Sequence, residues 1–191
     1  MLIVADYLLD YDKYIKENAP DFKLIGRDDV IDDLSHILVQ LESSNILIYG
    51  ETGVGMSSIV MGLTSRKTDP EYQLPLDIAS RRFTWLDVNK LFAIGNEEKI
   101  TETFQAIIDN LTRSHNRVLV IDDYRDFLDG VESMPNKRLL NMMMGSIKKK
   151  HFQAIWVCRR EHLVDVLKCH SDVKENFTPY QDSAGLVAVL A

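Results

Sequence analysis

Apolar residues in this chain fall into two kinds of pattern that alternate along it: short unbroken runs and stretches with helical spacing. Residues 1–15 place Leu2, Ile3, Val4, Tyr7, Leu8, Leu9, Tyr11, Tyr14 and Ile15 at mixed helical spacing and close at Asn18-Ala19-Pro20. This predicts a helical lead-in over residues 1–20. The segment carries more apolar surface than a free terminus exposes, so it packs either on its own domain or on a partner. Gly26 then breaks an extended stretch, and Asp28 and Asp29 suit the first turn of a helix. That helix is expected to reach about Leu41, with Val30, Ile31, Leu34, Ile37, Leu38 and Leu41 on one face. Ser43-Ser44-Asn45 turns the chain into Ile46-Leu47-Ile48-Tyr49, a continuous apolar run of the kind found in buried parallel strands.

The same alternation continues to the end of the chain. Helical spacing recurs over residues 57–65, 97–112, 137–149 and 161–169, and strand-like runs occupy 83–88, 117–123, 153–158 and 186–190. Strands alternating with helices imply βαβ crossovers, hence an α/β domain over residues 21–191 with a parallel sheet covered by helices on both faces.

Composition narrows the function classes. The 191 residues are 46% hydrophobic and 27% charged, which suits one ordinary globular core, and the formal charge is -7. A chain this acidic lacks the basic field that gathers phosphate backbones or anionic lipid, so nucleic acid is not an expected partner. Cys158 and Cys169 have neither CxxC nor Cys/His ligand spacing and are read as reduced thiols of a cytoplasmic protein. The start of the chain lacks a basic n-region, and no run approaches the ~20 apolar residues of a transmembrane helix.

Candidate chemistry lies at Gly50-Glu51-Thr52-Gly53-Val54-Gly55-Met56-Ser57, with Ser58 next. A buried strand, a Gly-x-x-x-x-Gly turn and a hydroxyl residue opening a helix is the geometry that cradles a polyphosphate. The glycines allow the tight turn, backbone N–H groups point inward, and the helix start carries partial positive charge. The sequence thus predicts a P-loop NTPase fold, with ATP or ADP and Mg²⁺ as the cofactors such a loop holds. Met56 stands where the lysine that reaches the β and γ phosphates belongs. Methionine fills the space but brings no charge and donates no hydrogen bond. Asp122 and Asp123 end an apolar strand, the place of the Mg²⁺-side carboxylate in such folds. Ser57 and Asp122 are therefore the candidate metal-side residues, and Asp123 sits at the catalytic position, one methylene shorter than the usual glutamate.

These residues together resemble the first AAA+ module of ClpA/ClpB-type unfoldases and disaggregases. The likeness runs from about Asp12 to Pro179. It is carried by Ile25-Gly26-Arg27-Asp28, the loop, Leu91-Phe92-Ala93-Ile94-Gly95, Val120-Ile121-Asp122-Asp123, Ile155-Trp156-Val157-Cys158 and Phe177-Thr178-Pro179. The resemblance implies that Leu24 and Ile25 lie beside an adenine base, and that the partners are other AAA+ subunits or a larger protein machine.

It also marks departures. The aromatic pore loop expected after Leu-Phe-Ala-x-Gly is missing, since Gly95 runs into Asn96-Glu97-Glu98-Lys99. Cys158 stands at the polar sensor position, Glu175 and Asn176 align with paired arginines that reach a neighbour's γ-phosphate, and only residues 180–191 stand where a helical lid would follow. The reading these departures favour is a hydrolysis-deficient module that binds or scaffolds other proteins. The alternatives are a slow or hetero-oligomeric ATPase and a nucleotide sensor without turnover.

Other features have plainer readings. Met142-Met143-Met144 is expected in the core, and Lys148-Lys149-Lys150 at a solvated helix end or, in the sharper reading, against an acidic partner. Arg81-Arg82 and Arg159-Arg160 can reach an anion but receive no role, and the five histidines lack metal-ligand spacing.

Overall fold

The computed structural model describes residues 4–51, 55–69, 71–72, 74–114, 116–122, 124–134, 137–182 and 189–190; for residues 68, 189 and 190 it describes the backbone alone. Its strands are β1 (Leu8–Asp10), β2 (Lys23–Leu24), β3 (Asn45–Gly50), β4 (Arg82–Leu86), β5 (Arg117–Ile121), β6 (Gln153–Arg159), β7 (Phe177–Asp182) and β8 (Val189–Leu190). The helices are α1 (Tyr11–Asn18), α2 (Asp28–Leu38), α3 (Met56–Ser65), α4 (Leu76–Ala79), α5 (Val88–Phe92), α6 (Glu97–Ser114), α7 (Tyr124–Glu132), α8 (Arg138–Lys148), α9 (Leu163–Lys168) and α10 (Val173–Asn176).

One sheet runs in the order β1-β4-β5-β6-β3-β7, with every neighbouring pair parallel except β1 and β4. Because strand side chains alternate, each central strand feeds two cores. Ile46, Ile48, Val118, Val120, Ile155 and Val157 join the apolar face of α2 and the body of α3. Leu47, Leu119, Ile121, Ala154 and Trp156 join α6, α7 and α8. Strands buried on both sides read as unbroken apolar runs for this reason. Asn45 of β3 ties β6 to the end of α10 just before β7, donating to the Asn176 carbonyl at 2.8 Å and accepting from the Ala154 N–H at 2.8 Å.

Several expectations need correction. Residues 8–10 are a strand instead of part of a helix, because β4 offers a free edge and Leu8, Leu9 and Asp10 pair antiparallel with Leu86, Trp85 and Thr84. The helix that follows sets Tyr11 on Trp85, ring centroids 3.4 Å apart. The α2 helix stops at Leu38, so Leu41 leaves the apolar face and is 87% exposed. Val88 leaves the strand and opens α5, because the Asp87 carboxylate accepts from the Lys90 N–H at 2.9 Å and caps the turn. Met143 and Met144 are core residues.

Further elements lie beyond the expectations, among them the short helices α4 and α10. The α7 helix buries Tyr124, Phe127, Leu128 and Val131, which recur at helical spacing. The β7 strand carries Pro179 and sits at the sheet edge, where a missing N–H costs no ladder bond. Of the expected run at 186–190, the described residues 189–190 pair antiparallel with β2.

Candidate nucleotide-binding site

The phosphate-loop strand β3 and the acidic strand β5 end on the same edge of the sheet with β6 between them. Gly50 is buried at the end of β3, and Gly55 has φ 87° and ψ 31°, a left-handed conformation that glycine adopts without strain. Helix α3 begins at the next residue. Its first backbone bond runs from the Ile59 N–H to the Gly55 carbonyl, so the N–H groups of Met56, Ser57 and Ser58 come before any helical acceptor. That is the backbone half of an anion cradle. Thr52, Gly53, Val54 and Asp123 lie outside the described residues.

The cationic half is different. Met56 is partly buried and packs against the apolar cluster of α2 and α3. Two arginines at the end of β6 and just beyond it lie beside the loop: Arg159 pairs in register with Gly50, and the Arg160 guanidinium lies 3.6 Å from the exposed Glu51 carboxylate. Sequence reading gave these two no role, because only the parallel register of β6 with β3 brings them to the loop.

Asp122 follows β5 directly and is partly exposed, and Ser57 and Ser58 occupy the first turn of α3. One carboxylate and one hydroxyl leave most of a six-oxygen Mg²⁺ shell to phosphate and water, so this donor set fits magnesium brought in on a nucleotide. Among the described residues no group of three or more His, Cys, Asp or Glu side chains forms a metal cage.

Tyr11 marks the same side of the sheet. Burial pushes its hydroxyl up to about 12, and the neighbouring Tyr14 and Asp122 add to the rise. A folded-state value above the ordinary 10 means the neutral phenol favours the folded state. Its contribution is complete below pH 10 and disappears as the pH climbs from 10 towards 12. Burial also raises Tyr72, Tyr124 and Tyr180, so in a spectrophotometric titration near 295 nm Tyr11→Phe should reduce the late-ionising amplitude by one tyrosine and leave the rest of the late step in place.

Leu24 and Ile25 separate in the structure. Leu24 is 2% exposed, its side chain lies where a Cβ on Gly62 would sit, and its carbonyl accepts from Arg66 at 3.2 Å. Ile25 is 47% exposed. The cavity beside them, about 400 Å³, is walled by Phe22, Ser65, Arg66 and Asp69, and among the described residues none of its lining comes from the loop.

No family model matches the chain. Among curated proteins, the ClpB chaperone of Wolinella succinogenes is 25% identical over 153 residues, covering 80% of this chain and 18% of its own length. ClpL, an ATP-binding subunit of the Clp protease in Staphylococcus aureus, is 28% identical over 129 residues, or 65% of this chain and 18% of its own. Among solved structures, Hsp104 with ATPyS and FITC casein superposes with a TM-score of 0.81 at 18% identity, covering 94% of this chain and 30% of that one. The Saccharomyces cerevisiae Hsp104-ADP complex gives 0.80 at 18% identity, covering 96% and 31%.

The chain resembles a Clp-type AAA+ module in sequence and shares its fold.

It spans about a fifth of the length of its curated relatives. Within the module, Leu91 and Phe92 end α5 and residues 93–96 lead straight into α6, whose Lys99 N–H is capped by Asn96 at 2.9 Å. Cys158 is 1% exposed in β6. Glu175 and Asn176 end α10, and their carbonyls accept from Ser43 and Asn45. Among the described residues no helix is long and apolar enough to cross a membrane.

Proposed function

We propose that the module is hydrolysis-deficient and serves as a protein-binding or scaffolding component of a larger assembly, holding ATP or ADP with Mg²⁺ weakly. Met56 carries this reading. The described backbone at the start of α3 suits an anion cradle, but the position that should present a cation to the phosphates holds a partly buried thioether packed against the core. A lost charge-assisted contact costs roughly 1.5–3 kcal/mol of binding. The cost is larger in a transition state, where charge gathers on the transferred group. Cys158 at the sensor position, the direct passage from α5 to α6, and Glu175-Asn176 in place of arginines support the same reading.

Calorimetry with ATP and Mg²⁺ should show no heat below millimolar nucleotide, and steady-state hydrolysis should stay at background. Turnover that vanishes in Asp122→Ala would overturn the proposal. Micromolar binding without turnover would make the module a nucleotide sensor, and turnover gained only on mixing with another AAA+ subunit would make it part of a hetero-oligomeric ATPase.

A further inference from the structure

At the end of the sheet opposite the phosphate loop, the starts of β4, β5 and β6 surround a cavity of about 410 Å³. Arg81, Arg117 and Lys150 line it together with one acid, Asp77. In a chain whose net charge is -7, this is a locally cationic hollow. Lys150 donates to the Leu41 carbonyl. Neither arginine forms an ion pair among the described residues, and the buried Nε of Arg117 has no hydrogen-bond partner there. Burial disfavours the charged form of Arg81, and Asp77 offsets this only in part. Two partly buried guanidiniums with one exposed carboxylate near them and no ion pair to it leave room for an anion, since a desolvated charge is costly until it is paired.

The surroundings indicate what carries that anion. Leu41 lines the cavity and is 87% exposed, and Leu76, next to Asp77 in the chain, is also 87% exposed. A free inorganic anion would make no use of these leucines, whereas a polypeptide with an acidic side chain between apolar ones would cover them. We infer that this cavity docks an acidic, leucine-containing segment of a partner protein, a carboxylate entering between Arg81 and Arg117 while an apolar neighbour covers Leu41. The site lies away from the loop, so it stands whether or not nucleotide binds.

The test is fluorescence anisotropy of the full chain with a labelled peptide of alternating leucine and glutamate. The peptide should bind, with affinity falling as salt rises. A matched leucine–glutamine peptide should bind at least about tenfold more weakly, and Arg81→Gln with Arg117→Gln should weaken the acidic peptide by at least about tenfold, since charge-assisted pairs dominate such contacts. Lys150→Gln, on an exposed side chain, should weaken it by about threefold and gives a reading even where the double variant fails to fold. Unchanged affinity in variants that melt like the parent would overturn the inference. So would absence of binding, or displacement of the peptide by millimolar inorganic phosphate, which would make the cavity a simple anion site. Addition of ATP should leave the peptide affinity unchanged.

Discussion

Met56→Lys is expected to tighten ATP binding about ten- to a hundredfold, the equivalent of the roughly 1.5–3 kcal/mol that one charge-assisted hydrogen bond contributes. The described part of the loop suits a cradle: Gly55 holds its left-handed turn and the first amides of α3 precede any helical acceptor. A lysine keeps an apolar stem of nearly the same length, so it can lie against the cluster that Met56 touches and still extend its ammonium towards the phosphates. Titration of a fluorescent ATP analogue with Mg²⁺ measures the gain, and Met56→Leu serves as the uncharged control. Equal affinity in lysine and leucine variants would mean that the loop does not cradle phosphate. On the function proposed above, hydrolysis should not return with affinity, because Cys158 and Glu175 would still replace the groups that act on the transition state.

The second large effect concerns the only strongly buried ion pair among the described residues, between Arg27 and Asp182, whose side chains are 4% and 1% exposed. The contact is two-pronged, with one prong at 3.5 Å. It joins the start of α2 to the last residue of β7, so it fastens the box before the helix to the far edge of the sheet. Asp182→Ala removes the guanidinium's bidentate partner and should cost about 3–5 kcal/mol, a large share of the 5–15 kcal/mol typical of a folded domain. At this chain length that corresponds to a fall in Tm of about 6–20 °C, readable by circular dichroism. The double change Arg27→Met with Asp182→Leu should recover much of the loss, because it removes both charges from the interior. A double variant as unstable as the single one would show that the pair is needed for more than charge balance.

The central strands were readable because strands buried on both faces must be apolar throughout, as in Ile46-Leu47-Ile48 and Val118-Leu119-Val120-Ile121. The turn at Gly55 and the start of α3 were readable because both depend on residues local in sequence. Elements set by distant partners were not. Leu8-Leu9-Asp10 becomes a strand only because the edge of β4 is free, and the edge strand Phe177–Asp182 carries a proline that argues against a central strand. Likewise, the role of Arg160 depends on the register of β6 with β3, and the unpaired demand of Arg117 on which neighbours the fold places around it. The helix over Tyr124–Glu132 is a different case, since its spacing was present in the sequence from the outset.

The sheet order has a consequence for the growing chain. The strand that feeds the phosphate loop touches only β6 and β7, while β4, β5 and β6 adjoin one another in the order in which they are made. During synthesis at roughly 5–20 residues per second, the apolar stretch at Ile46-Leu47-Ile48 therefore waits on the order of 5–20 seconds for Gln153–Arg159 to emerge. For that interval both its backbone edges are open, and only the face of Ile46 and Ile48 has its helical cover, α2 and α3, already made.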